Sequence, residues 1–333
     1  MAQTGNSSIN AIISGSPKTA AKLAEFYGVE HVYSYEQYDQ MLATNVVDAV
    51  YVALPNSMHA DYAIRALRAG KHALVEKPLA TTEAECQAMI DAAKRSGTYL
   101  MTAYRLHNEP GTVQLLEHIR SGQIGDPRIF AAVFSFVAPP DNHRLKLAYW
   151  GGPLQDIGVY CLNAARHIFA AEPIEAVAVK SSGKGSSEVE ESIAVTLRFP
   201  EGRLAQFIAS FGADNSDFYH VAGTKGSVTA NPGFRFETAV RSTLRHGDTA
   251  TEKTFPQTDH FAGQTAYFSD CILNAQAPEA DGGEGLADVR ALLAIERAAN
   301  TGQPQKIDTP ARQVRPTAEM IRILPITERR LLL

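Results

Sequence analysis

Apolar and polar positions change their period once along the chain. From Ile9 to Ala103, short apolar runs alternate with stretches in which apolar residues recur every three or four positions, the marks of strands and amphipathic helices in turn. Ile9 to Ser14, Val46 to Leu54, His72 to Glu76 and Thr98 to Ala103 read as strands, the second apolar and β-branched enough to be covered on both faces. Ser16 and Pro17 predict a capped helix start that leads through Leu23, Phe26 and Tyr27 to a stop at Gly28. A further helix opens near Asn56 and closes at Gly70. Thr82 and Glu85 form a capping box ahead of the stripe Cys86, Met89, Ile90 and Ala93, which Gly97 ends. Repeated β-α units with short connections predict a doubly wound parallel sheet.

Beyond Tyr104 the period changes. A helix over Thr112 to Ser121 precedes long alternating runs at Arg128 to Val137, Ile174 to Ser181, Ser192 to Phe199 and Arg203 to Phe211, expected as antiparallel strands. Pro200-Glu201-Gly202 and Gly223-Thr224-Lys225-Gly226 have hairpin chemistry, and Gly183-Lys184-Gly185 reads as a loop between two strands. A meander with one covered face leaves the other free for dimerisation. Leu286, Val289, Leu293 and Ala299 mark a late helix stopped by Gly302. The fold class expected is α/β, a Rossmann-type parallel sheet lacking its N-terminal part, plus an α+β C-terminal domain with a large, mostly antiparallel sheet. The divisions fall at 1–105, at 106–308 with the late helix at 285–301, and at 309–333 as an extended tail.

Composition narrows the function. The 333 residues are 45% hydrophobic and 20% charged with a formal charge of −5, ordinary for a globular protein of two domains. With no basic block and no apolar run of membrane length, neither nucleic acid nor a membrane is an expected partner. Cys86, Cys161 and Cys271 lack the spacing of a zinc site or disulfide framework and read as core residues. The N-terminus lacks the basic-then-apolar order of a signal peptide. A cytoplasmic location is expected, or a periplasmic one if an export signal precedes this sequence.

Two stretches carry chemistry. In Ala73 to Ala80, the apolar strand ends in Glu76-Lys77-Pro78. Pro78 keeps Lys77 out of the helical region, so the lysine leaves the strand at the edge where α/β sheets bind ligands. The bland reading is a solvated lysine at a strand end. The second stretch begins at Gly151, Gly152 and Pro153 and opens a helix with the core stripe Leu154, Ile157, Cys161, Ala165 and Ile168. Offset from that stripe, Asp156 and Tyr160 stand at i and i+4 and project from one face, and Asn163 and His167 continue the polar line. Here the bland reading is a solvated polar face with an aspartate at the helix start.

Leu54-Pro55-Asn56-Ser57-x-His59, Ala69-Gly70-Lys71-His72 running into Glu76-Lys77-Pro78, and Asp156-Ile157-Gly158-Val159-Tyr160 together resemble the oxidoreductases of the glucose-fructose oxidoreductase and inositol dehydrogenase type (Gfo/Idh/MocA). The likeness runs from about Ile9 to about Ile307 and is nearest to glucose-fructose oxidoreductase, since Tyr160 stands where many relatives carry histidine. It implies hydride transfer between a nicotinamide and a carbinol carbon of a sugar or polyol, a homodimer or homotetramer formed through the C-terminal sheet, and a late helix packed on the first domain. Lys77, Asp156 and Tyr160 fall on the family's catalytic positions. A free tyrosine, near pKa 10, needs a neighbouring cation to act as a base at neutral pH, so either Lys77 serves Tyr160 or Lys77 carries the proton itself. Pro55, Asn56, His59, Glu76 and Lys77 match cofactor positions. So do Arg105 and Arg144, for which a surface role is equally open.

The family's fold opens with a strand and a Gly-x-Gly-x-x-Gly turn, and only eight residues precede Ile9. Ile9 to Ser14 therefore matches the second strand, whose end reads the adenosine ribose. Ser14, Ser16 and Lys18 at a helix N-terminus, with no carboxylate nearby, favour NADP over NAD, although serine and proline also suit an ordinary helix cap. In a sheet of order 3-2-1-4-5-6 the first strand is central. Without it, the neighbouring strands are expected either to close up or to leave the domain loose, with NADP held weakly. The alternative function is a non-catalytic sensor or interaction protein that has lost the cofactor site.

Overall fold

The computed structural model describes residues 4–183, 188–236 and 238–327. Lys184 and Gly185 of the glycine-flanked loop lie outside them. The first region runs β1 (Ala11–Ile13), α1 (Pro17–Tyr27), β2 (His31–Tyr33), α2 (Tyr38–Leu42), β3 (Ala49–Val52), α3 (His59–Arg68), β4 (His72–Glu76), α4 (Glu83–Ser96) and β5 (Leu100–Ala103). Its helices start and stop where the caps dictate. Ser16 Oγ accepts from Thr19 N, Thr82 and Glu85 form the capping box, and Gly28 and Gly97 take the left-handed conformation that ends each helix.

All pairings here are parallel, but they form two separate sheets, β1-β2 and β3-β4-β5. Among the described residues β1 pairs only with β2, and β3 only with β4. The edges facing each other do not join. They flank a cleft of about 700 Å³ lined by Ile9, Ile12, Val50, Val52, Leu74 and Phe268. What connects the two sheets is side-chain packing: Tyr38, Met41, Leu42 and Ala66 form a small core against Ile13, Tyr33, Val50 and Tyr62.

The second region supplies α5 (Pro110–Arg120), β6 (Pro127–Ser135), α6 (Val159–Phe169), β7 (Glu175–Ser181), β8 (Ser192–Arg198), β9 (Leu204–Ser210), β10 (Ser216–Gly223), β11 (Gly226–Ala230), β12 (Arg241–His246), β13 (Thr249–Thr254), α7 (His260–Leu273), α8 (Gly282–Thr301) and β14 (Gln305–Lys306). Nine strands form one sheet in the order β13-β12-β11-β10-β6-β9-β8-β7-β14. The sheet is mostly antiparallel, as expected, and departs from a simple meander at one place, where β6 and β9 pair in parallel. β7, β8 and the helix between β6 and β7 separate these two strands in the chain, so β9 returns beside β6 in the same direction. Residues 226–273, for which the sequence reading gave no strands or helix, hold β11, β12, β13 and α7.

One sheet face packs on α6 and α8 through Phe130, Ala176, Val195, Leu197 and Phe207. The other face is open. Registers place Ile129 opposite Leu204, Val133 opposite Ile208 and Ala194 opposite both Ile208 and Val179, with Ile129, Val177, Val179, Leu204 and Ile208 exposed. α8 packs Leu286 and Val289 into the core of β3 to β5 and α4, so the late helix closes the first region as well as the second. No described helix is long and apolar enough to cross a membrane.

Candidate active site

Lys77 follows β4 and Asp156 lies in a single π turn, Leu154–Gly158, that leads into α6. Gly151 is required just before that turn, since a Cβ there would stand 2.2 Å from the Arg144 carbonyl oxygen. Leu154, Ile157 and Cys161 point inward as the stripe demands and are buried. This fixes the opposite side of the turn toward β4. Lys77 Nζ donates to the Asp156 carbonyl at 2.5 Å and meets Asp156 Oδ1 at 3.3 Å. It also lies 4.8 Å from the centre of the Tyr160 ring. Arg144 Nε approaches the other carboxylate oxygen at 2.9 Å. The solvated readings of Lys77 and Asp156 are thereby corrected: Lys77 is buried, and Asp156 is held between two cations.

Charge in the group follows from these contacts. Burial alone would push the Lys77 ammonium down, but Asp156, and then Tyr160 and Glu76, hold it above its ordinary value. Burial would push Asp156 up, and Lys77 and Arg144 outweigh it, so the carboxyl stays below the ordinary range. Lys77 is thus an ammonium and Asp156 a carboxylate at neutral pH. Tyr51, raised far above the ordinary phenol by burial and by Glu76, stays neutral and donates to Glu76.

A cavity of about 850 Å³ opens over Lys77, Asp156 and Tyr160, and Pro55, Asn56, Glu76, Arg105 and Arg144 line it too. Asn56 Nδ2 donates to the Trp150 carbonyl at 3.0 Å, tying the loop after β3 to the α6 side. His59 is the exception among the residues expected at the cofactor. It is fully buried, with its ring nitrogens 2.9 and 2.8 Å from the carbonyls of Pro78 and Leu54. It is a staple behind the cavity wall. Ser14, Ser16 and Lys18 stand apart at the start of α1, none of them in the cavity wall, and the two serine oxygens are engaged in the local turn and cap.

The sequence reading missed the far wall, made of Asn215, Arg235, Phe236 and Phe261. Their only sequence signal is an aromatic beside an arginine in a stretch without period. The bland reading of the polar line as a solvated face does not hold for Asn163 and His167, which are both buried inside an ionic network. Arg166 meets Glu284 and Asp288 at 2.6 Å each and also Glu172. Asn163 Nδ2 donates to Glu284 and Asp288, and His107 donates to Asn163 and Glu279. His107, His167 and Glu284 could bring three ligand atoms within 4.8 Å of one another. That carboxylate is already engaged by Arg166 and Arg312 in a salt-bridged core.

The N-terminal residues 1–104 match the model of the oxidoreductase family with an NAD-binding Rossmann fold, and 112–229 match the GFO/IDH/MocA C-terminal domain. The chain is 32% identical to D-xylose 1-dehydrogenase [NADP(+)] of Haloarcula marismortui over 87% of its length and 83% of that protein. Aldose-aldose oxidoreductase from Caulobacter crescentus, solved with glycerol, superposes with a TM-score of 0.85 at 36% identity, covering 90% of this chain and 92% of that one. KijD10, a 3-ketoreductase from Actinomadura kijaniata solved with NADP and TDP-benzene, gives 0.82 at 28% identity, covering 89% and 92%.

Proposed function

The chain belongs to the Gfo/Idh/MocA oxidoreductases, and from that premise we propose that it is an NADP-dependent oxidoreductase acting on a carbinol carbon of a sugar or sugar-like polyol. The observation that carries this reading is the convergence of an ammonium, a phenol and a carboxylate, Lys77, Tyr160 and Asp156, in one cavity at the C-terminal ends of parallel strands. NADP, when bound, supplies or takes up the hydride. The chain's residues handle the proton. Lys77, charged and already bonded to Asp156, has no lone pair with which to take a proton at neutral pH, which favours Tyr160 as the proton carrier and Lys77 as the cation beside it. Asp156 places that cation.

The residues present fit the dinucleotide at its two ends. Pro55, Asn56 and Glu76 line the cavity beside Lys77, suiting the nicotinamide. Ser14, Ser16 and Lys18 crowd the N-terminus of α1, whose first turn holds no acid, suiting a 2′-phosphate. NADP is accordingly expected to bind at least about tenfold tighter than NAD, the scale of one phosphate contact. With the sheet open between β1 and β3, the grip on either is expected to be weak, millimolar or so. The open face of the nine-stranded sheet serves association of two copies, in keeping with its exposed Ile129, Leu204 and Ile208.

The test is reduction of NADP+ at millimolar concentration with D-xylose or D-glucose, followed at 340 nm. Tyr160→Phe is expected to lose at least about a hundredfold in kcat, the scale of general acid-base catalysis, with NADP affinity unchanged by calorimetry. Undiminished turnover in that variant would discard the role of the phenol.

A further inference from the structure

Arg105 opens the turn after β5 and is 3% exposed. Its guanidinium donates from Nε to the Tyr160 hydroxyl oxygen at 3.1 Å and from Nη2 to the Phe234 carbonyl at 2.5 Å, while Nη1 lies 3.1 Å from His260 Nδ1. Its carbon stands 4.8 Å from the centre of the Tyr160 ring, and 5.6 and 5.7 Å from those of Phe236 and Phe261. Among the described residues no carboxylate pairs with it. A buried guanidinium without a counter-ion is costly, and burial together with Arg105 pushes His260 down to about 3, so that ring is neutral. The positive charge therefore meets a phenol, an imidazole and a carbonyl, and no permanent anion.

An arginine has five donors, no acceptor, and keeps its proton in proteins. The Tyr160 oxygen must therefore accept from Nε, which turns the phenol hydrogen away from Arg105. Lys77, the other cation beside the ring, is also only a donor, and two of its three hydrogens are engaged by Asp156. No described residue accepts from the Tyr160 hydroxyl, and the open direction is the cavity that Tyr160 lines. The charged groups that line the cavity with this phenol are Lys77, Glu76, Asp156, Arg105, Arg144 and Arg235, and Tyr51, His143 and Tyr149 are its other titratable groups.

We propose, resting on the oxidoreductase reading above, that Arg105 is a positioning residue for proton transfer: it holds the Tyr160 oxygen as acceptor, aims the phenol hydrogen into the cavity, and faces the oxygen with a fixed positive charge once the proton has left. In the reducing direction the phenol O–H bond breaks as an O–H bond forms on the former carbonyl oxygen of the substrate, whose carbon takes hydride from a reduced nicotinamide. Tyr160 is left as a phenolate against Arg105 and regains its proton from water. The oxidising direction is the reverse.

The first arm of the test needs no turnover. In the full chain labelled with 15N-arginine, the Nε–H signal of Arg105, assigned by its loss in Arg105→Lys, is expected to exchange with water at least about tenfold faster in Tyr160→Phe, as for a lost hydrogen bond from a charged donor. An unchanged signal overturns the proposal. The second arm is steady-state kinetics with NADP+ and D-xylose or D-glucose. Arg105→Gln is expected to lower kcat about a hundredfold with both KM values within about twofold, Arg105→Lys to recover part of the loss, and the double variant Arg105→Gln/Tyr160→Phe to be no slower than Tyr160→Phe alone. Raised KM values with kcat intact, or fully additive losses, overturn it. A wild-type chain that turns over neither sugar sinks the oxidoreductase reading instead, and the exchange measurement then decides whether Arg105 holds the phenol.

Discussion

Asp156 stands between Lys77 and Arg144, and that position decides how the site responds to acid. Its carboxyl is held below the ordinary range in the folded chain, so the unfolded chain binds the proton more readily. The stability it contributes is therefore complete above the ordinary carboxylate value and is lost as pH falls through the folded one. Urea unfolding between about pH 3 and pH 7 is expected to show this acid loss in the wild type. Asp156→Asn is expected to be destabilised at pH 7 by about 3 kcal/mol, since two cations lose their common partner, and to show a shallower acid limb. An acid limb of the same depth in the variant would remove this account. The three cysteines are all free and buried, Cys86 pushed up to about 12 chiefly by burial, and Cys161 and Cys271 also raised by it. Ellman's reagent is expected to leave the folded protein unlabelled near pH 8 and to titrate three thiols in urea; rapid reaction of any one in the folded protein would contradict its burial. The meeting of Lys77, Asp156 and Tyr160 in one cavity was legible in the sequence from local spacing, a proline after a strand and an i, i+4 pair, together with the resemblance that singled these residues out; their catalytic role is a proposal. The surroundings of Arg105 were not, because its partners arrive from 55 to 155 residues away in the chain.

At the scale of elements, α6, α8 and the C-terminal stretch meet over a buried ionic cluster. Arg166 on α6 pairs with Glu284 and Asp288 of α8 and with Glu172, while Arg312 and Arg315 reach in from the tail to Glu284 and Glu172. Arg166→Met is expected to strand several buried carboxylates and to cost about 3 to 5 kcal/mol, read as a fall in the urea midpoint. A midpoint unchanged within error would show the cluster to be energetically idle. This network explains why the polar line through Asn163 and His167 is not solvated: the period is helical, but those residues face other buried polar groups instead of water. β13 escaped notice because all six of its residues are exposed and offer no apolar face. α7 escaped for the opposite reason, being buried on most sides, so that apolar and polar residues show no clear stripe.

For the whole molecule, the open face of the nine-stranded sheet gives a direct measurement. If two copies associate there, Ile208→Glu, whose side chain lies near the middle of that face, is expected to convert the dimer seen by light scattering into monomer while leaving circular dichroism unchanged; a wild type already monomeric at tens of micromolar would end the proposal. The opening between β1 and β3 has a different consequence, for how the molecule comes apart. A continuous sheet couples its strands through a shared ladder of amides, so they are lost together. Here the unit from β1 to β2 is held by a small side-chain core and by the chain running into α2, so it can open while β4, paired on both sides, and β5, paired with β4 and bridged to Asp281 on its other side, stay shut under α4 and α8. Hydrogen exchange is therefore expected to be graded and not global: amides of residues 11–33 exchange at least about tenfold faster than those of β4 and β5, with a separate and lower opening free energy. Equal protection across both would mean that Tyr38, Met41 and Tyr62 bind the two sheets into one cooperative body.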